Sequence, residues 1–100
     1  MKALYWTLRA HRDLREIRRF IARDHPVAAR KWIDRLRKRA RAAASVPHSG
    51  RRVPEIERDD VREVIVGAYR IVYRVLARQI HVLTVFEGHR RFPTDAIDPS

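Results

Sequence analysis

An α+β fold, with an N-terminal strand and a helical hairpin packed on a small antiparallel β-sheet, is predicted for this chain by three observations. Apolar residues recur at helical spacing through two stretches separated by a proline, the segment from Arg62 to Arg91 reads as three consecutive strands, and a short apolar run precedes both. In 100 residues, 45% of them hydrophobic, there is enough apolar surface for one core, so a single domain over 1–100 is expected.

Residues Ala3 to Trp6 are apolar and partly aromatic, which suits a strand, and Thr7 can cap a following helix by accepting from its free amides. That helix is expected to run to about Asp24, because Ala10, Leu14, Ile17 and Ile21 share one face while Arg12, Arg15, Arg19 and Arg23 fall toward the other. Pro26 is tolerated at a first helical position and disfavours helical geometry in His25, so a second helix starts there. Its apolar stripe is Ala29, Trp32, Ile33, Leu36, Ala40 and Ala43, with Trp32 expected in the core. Pro47 to Asp60 has no apolar period and reads as an ordered surface loop. Gly67-Ala68 fits a two-residue hairpin turn with glycine first, and Ala77-Arg78 takes the next turn without a favoured turn residue. After Phe92 the chain is polar, and 93–100 is expected to be a flexible tail.

A net charge of +11 points to nucleic acid, an anionic membrane or an acidic protein as partner, and composition alone does not separate them. The absence of cysteine excludes a disulfide framework and a thiolate zinc site, and His11, His25, His48, His81 and His89 have no ligand-like spacing, so neither metal nor cofactor is expected. With no long apolar run at the N-terminus or later, a cytoplasmic protein without membrane contact is expected.

Strand alternation supplies candidate surfaces. Tyr69, Ile71, Tyr73 and Val75 share one face of their strand, which suits packing on the helices, and Arg70 and Arg74 point to a face expected to be free for a partner. The same alternation puts His81 on the side of Leu83 and Val85, opposite Ile80, Val82 and Phe86.

Pro47 with Gly50-Arg51, the Arg62-Glu63 pair, Tyr69-Arg70-Ile71 with Tyr73-Arg74, and the final IHVLTVFEGHRR follow the two helical stretches in an order and spacing that resembles the RelE/ParE superfamily of type II toxin-antitoxin toxins, more closely its ParE-like branch. The resemblance covers nearly the whole chain and implies the fold already read from the residues. It implies one of two functions. ParE-like members poison DNA gyrase, whereas RelE-like members are ribosome-dependent endoribonucleases that cut messenger RNA without a metal.

Cleavage by a 2′-hydroxyl needs proton transfer at two oxygens and cations around the phosphorus. Arg70 and Arg90 match arginines of RelE-like sites, and Arg62 is a possible substitute for a missing lysine. The lysines of the preceding strand and the C-terminal tyrosine have no counterpart, which leaves His81 and His89 as the candidate proton carriers. The leading reading is therefore a gyrase inhibitor rather than an enzyme, with His89, Arg90 and Arg91 at the target surface. A ParD-like antitoxin with an acidic tail is the expected partner, held by Arg62, Arg70 and Arg74 in a toxin-antitoxin hetero-oligomer, because the arginine fork pairs well with carboxylates.

Overall fold

A computed structural model of the chain describes residues 1–97. The chain runs β1 (Ala3–Trp6), α1 (Leu8–Ala22), α2 (Pro26–Ser45), β2 (Arg51–Arg52), β3 (Val61–Val66), β4 (Tyr69–Val75) and β5 (Gln79–Glu87), with short 3₁₀ turns at Pro47–Ser49 and Thr94–Ala96. The sheet order is β1-β5-β4-β3-β2. Neighbours from β2 to β5 are antiparallel, as expected. The sheet is nevertheless mixed, because β1 joins β5 in parallel. The two-residue β2 was expected to be loop; it is too short to show a period, and only its pairing with Glu63 and Arg62 defines it.

Local chemistry sets the ends of the elements. The Thr7 hydroxyl accepts from the Ala10 amide at 3.1 Å and donates to the Leu83 carbonyl at 3.2 Å, so one residue caps α1 and anchors it to β5. Pro26 opens α2 where a free amide would have no partner in any case. Gly67 has φ +58, the left-handed geometry of a glycine-first hairpin turn, and a side chain there would also meet the Trp32 ring at 2.5 Å. Trp32 accordingly packs against the core and meets Tyr69 edge-on with centroids 5.5 Å apart.

Both faces of the sheet are covered. On one, Leu14, Ile33 and Leu36 of the helices meet Val64, Ile71, Tyr73, Ile80, Val82 and Val85. On the other, Val53, Val61, Val72, Leu83 and Phe86 are closed over by Phe92 and Ile97. This double burial explains why β3 to β5 read as near-continuous apolar runs.

A register shift separates Val72↔Thr84 from Tyr73↔Val82, so Leu83 is an extra residue on β5. The bulge corrects the expected alternation: Val85 joins Ile80 and Val82 under the helices, while Leu83 and Phe86 face the second core. Where β5 extends beyond β1, Asp13 of α1 takes over its open edge. One carboxylate oxygen accepts from the Thr84 hydroxyl at 2.6 Å and the Val85 amide at 3.1 Å. Burial pushes the Asp13 carboxyl above its ordinary range, an effect that these two hydrogen bonds oppose.

Because the folded pKa is raised, Asp13 favours the fold most below the ordinary carboxylate value, and that contribution is lost as pH rises through the raised value. Asp13→Asn, which keeps an acceptor and removes the charge, is expected to change stability at pH 7 by less than about 1 kcal/mol. Asp13→Ala should cost about 1–3 kcal/mol by leaving a buried hydroxyl and amide unpaired. Denaturant unfolding at pH 5 and pH 8 checks both, and equal losses from the two variants would refute the capping role.

The tail expectation needs correction over 93–97. Ala96 and Ile97 are buried, Arg74 Nη2 donates to the Ile97 carbonyl at 2.8 Å, and Arg9 pairs with Asp95 at 2.9 Å. Phe92 and Ile97 hold this segment because they cover apolar surface of the second core that would otherwise meet water. Positions 98–100 of the expected tail lie outside the described residues.

Candidate functional site

The arginines expected to share one open surface are separated by the sheet. Arg62 lies opposite Tyr73 and so on the helix side, while Arg70 and Arg74 project into the second layer. That second face is not free, because the segment from Val53 to Asp60 and the C-terminal turn close over it.

Arg70, at the middle of this layer, is 8% exposed. Its Nε donates to Glu63 at 2.7 Å, and Nη1 and Nη2 make a two-pronged pair with Glu55 at 2.9 and 2.8 Å. The guanidinium also lies 5.1 and 5.2 Å from the ring centroids of Phe86 and Phe92. Glu63 is 1% exposed, and its other oxygen accepts from Arg51 Nε at 2.6 Å. The result is an alternating row, Glu55–Arg70–Glu63–Arg51. Hydrogen bonding to Glu55 raises the Arg70 pKa, and the same contact lowers that of Glu55. A cation so neutralised is poorly placed to receive an added phosphate or carboxylate.

Arg62 donates to the Asp59 carboxylate at 2.6 Å, the Asp59 carbonyl at 2.9 Å and the Gly50 carbonyl at 3.2 Å. Arg74, besides its bond to Ile97, lies 3.8 Å from Asp60, whose carboxyl Arg58 holds below its ordinary value. The expectation that Arg62, Arg70 and Arg74 form one exposed antitoxin contact is therefore corrected. Their faces differ, Arg70 is buried, and all three bond to their own chain.

The nuclease candidates are not gathered around a single point either. His81 pairs with Tyr5 and Arg74, packs its ring on Tyr5 at 5.8 Å and bonds to Gln79. It sits six residues before Glu87 at the far end of β5, about 20 Å away at about 3.4 Å per residue. His89, Arg90 and Arg91 follow that end and are exposed, and their side chains take no part in an ion pair among the described residues. Between this turn and α1 lies a cleft of about 300 Å³ lined by Arg9, Asp13, Glu16, Phe20, Tyr69, Arg90 and Arg91. Burial pushes the Tyr69 hydroxyl up, with Glu87 adding to the shift and Arg90 opposing it. Of the sequence candidates, only the His89 to Arg91 trio is both contiguous and open.

The Glu55–Arg70–Glu63–Arg51 row was missed by the sequence reading. A signal was present in the lone Glu63 of VREVIV, since a carboxylate inside an apolar strand needs a cation if it is buried. Its partners Arg51 and Arg70 come from β2 and β4, which only the sheet register brings together. Among the described residues, no group of three or more metal-ligating side chains is placed to hold an ion, and no helix is long and apolar enough to cross a membrane.

The family model described as the ParE toxin of the type II toxin-antitoxin system parDE matches residues 4–92. Y4kP of Sinorhizobium fredii, whose name marks it as a candidate toxin, is 36% identical over 96 residues, covering 92% of this chain and 94% of that protein. Toxin RelE2 of Caulobacter vibrioides is 33% identical over 91 residues, covering 90% of this chain and 99% of its own. Among solved structures, a chain of the chromosomal ParDE toxin-antitoxin system of P. aeruginosa superposes with a TM-score of 0.74 at 23% identity, over 87% of this chain and 96% of that one. At that identity the likeness concerns the fold.

Proposed function

Because this chain belongs to the ParE family of toxins of type II toxin-antitoxin systems, we propose that it acts by inhibiting bacterial DNA gyrase and is neutralised by a cognate ParD-like antitoxin in a hetero-oligomer. The observation that carries this reading is the neutralised Arg70. The cation that would steady a cleaved phosphate is buried between Glu55 and Glu63. A nuclease needs proton-transfer groups and cations around one phosphate, whereas an inhibitor needs only an exposed complementary surface. The turn carrying His89, Arg90 and Arg91 beside the α1 cleft meets that lesser requirement. Acting on gyrase places the toxin in the cytoplasm. Its antitoxin, as we infer, supplies an acidic segment whose apolar anchors take the exposed Leu8, Phe20 and Val27 at the ends of the helical hairpin and whose carboxylates approach the rim of the sheet near Arg62 and Arg74. Charge complementarity supports that placement.

The name of the Caulobacter relative favours the alternative, a ribosome-dependent messenger endoribonuclease. A paired assay decides between them: supercoiling by purified gyrase against translation and messenger integrity in a reconstituted extract. The expected result is loss of supercoiling with broken, gyrase-linked DNA and no codon-phased cuts. His81→Gln and His89→Gln should leave messenger integrity untouched, whereas loss of an essential proton carrier in a nuclease would cost about 10²–10⁴ in rate. Codon-phased cleavage by the wild type, abolished by Arg90→Ala with the fold intact, would overturn the gyrase reading.

A further inference from the structure

The positive charge of this protein is concentrated in one place. The helical hairpin, residues 8–45, carries thirteen Lys and Arg against four Asp and Glu, a balance of +9, and the rest of the chain carries ten against eight, leaving only +2 of the total +11. All thirteen except the half-buried Arg9 are exposed, and none of those twelve is in an ion pair among the described residues. Of the four carboxylates, Asp13 is turned to β5, which leaves Glu16, Asp24 and Asp34 at the surface.

We propose that the outer face of this hairpin is a docking surface for the phosphate backbone of duplex DNA. Arg12, Arg19 and Arg23 fall along the outward side of α1, and Lys31, Arg35 and Lys38 along that of α2. From Arg12 to Arg23 the row is about 16 Å long at 1.5 Å per residue. Packed helices lie about 8–10 Å apart, so two short cationic rows stand side by side on a rigid support. Duplex DNA presents about one charge per 1.7 Å of axis, so a polyphosphate can meet several of these cations together.

The chemistry of this face disfavours other polyanions. A membrane-surface helix needs its apolar side free, but the apolar stripes of α1 and α2 are buried on the sheet. An acidic peptide held by a helix face needs apolar anchors, and the large exposed apolar side chains of the hairpin, Leu8, Phe20 and Val27, lie near the helix ends. The choice of DNA as the polyphosphate rests on the gyrase reading, whose target holds duplex DNA.

The test measures DNA binding with no gyrase present. Fluorescence anisotropy with a labelled 24-base-pair duplex of arbitrary sequence is titrated between about 50 and 200 mM KCl, where each phosphate contact adds about −0.9 to the log–log slope. The wild type should bind at micromolar Kd with a slope of about −4 or steeper. The quadruple variant R12Q/R19Q/K31Q/K38Q should have a slope shallower by about 3.6 and affinity at least about a hundredfold lower at 100 mM KCl. R78Q, an exposed cation outside the hairpin, should leave the slope unchanged. Circular dichroism and thermal melting establish that the variants are folded. A slope near zero, binding that the quadruple substitution leaves intact, or tighter binding to duplex RNA, polyglutamate or phosphatidylserine vesicles would overturn the inference. DNA binding without inhibition of supercoiling would leave this surface standing and remove the target reading. Inhibition without DNA binding would do the reverse.

Discussion

Arg70→Ala is expected to unfold the protein far more readily than to disarm it. The substitution leaves Glu63, whose side chain has no exposure, with Arg51 as its remaining cation, and it strips Phe86 and Phe92 of the guanidinium beside their rings. Breaking a buried pair by removing one partner costs about 3–5 kcal/mol, and the surviving Arg51 contact places the loss near the lower end. In a chain of this length, each kcal/mol lowers Tm by about 4–8 °C, so a fall of more than about 12 °C is expected. Replacing both members, as Arg70→Met with Glu63→Leu, should recover much of the loss, because no charge is then left buried. Chemical denaturation of the wild type, Arg70→Met, Glu63→Leu and the double variant gives the coupling between the two positions, and a loss below about 1 kcal/mol in Arg70→Ala would contradict the buried row. Acid should weaken the same contact. The Arg70 hydrogen bonds hold the Glu55 pKa below its ordinary value, so its contribution is full above the ordinary carboxylate range and is lost as pH falls through the lowered value. The functional consequence is practical: Arg70→Ala cannot separate nuclease from inhibitor unless folding is measured too, whereas Arg90→Ala, at an exposed turn, can.

Gly50→Ala is the second large effect. Gly50 has φ −72 and ψ 150, extended backbone open to any residue, so the obstacle is space and not conformation. A Cβ there would fall on the Tyr73 hydroxyl and 2.8 Å from the Glu63 carbonyl oxygen. Tyr73 is 1% exposed and donates to the Pro47 carbonyl at 2.6 Å, which fixes the ring where it blocks the added methyl. Overpacking of this kind costs about 1–3 kcal/mol, and the backbone oxygen, which cannot rotate away, places the cost in the upper half of that range. Tyr73→Phe alone should cost about 1 kcal/mol through the lost hydrogen bond. In the Gly50→Ala background the same change should cost nothing or stabilise, since it removes the blocking oxygen. Simple additivity of the two substitutions would show that the hydroxyl is not the obstacle.

The longer elements of this fold were legible in the residues because each carries its own local physics. Helical spacing of Ala10, Leu14, Ile17 and Ile21, the capping hydroxyl of Thr7, Pro26 at a helix start and Gly67 in a tight turn depend on near neighbours alone, and the structure has each in the expected place. The same holds for the side of Tyr69 and Tyr73, which follows from alternation in an unbroken strand.

What the tertiary structure decided is which face is covered, and by what. The bulge at Leu83 is an offset between two strands and has no signature in either, yet it moves Val85 from one layer to the other. Arg70 reads as an outward cation as long as its strand is considered alone. It becomes a buried structural group once Glu55 and Glu63 are brought to it from 15 and 7 residues away and Phe92 closes the layer. The C-terminal segment is similar, since Ala96 and Ile97 are short apolar interruptions of a polar run and Ile97 gains its hold from the second face of a sheet assembled elsewhere. Sequence by itself thus determined the two helices, the four longer strands and the family likeness, because local propensity and pattern are short-range. The assignment of charges to structure or to partners required the folded chain, because the strength of an ion pair depends on burial, and burial is a property of the whole assembly.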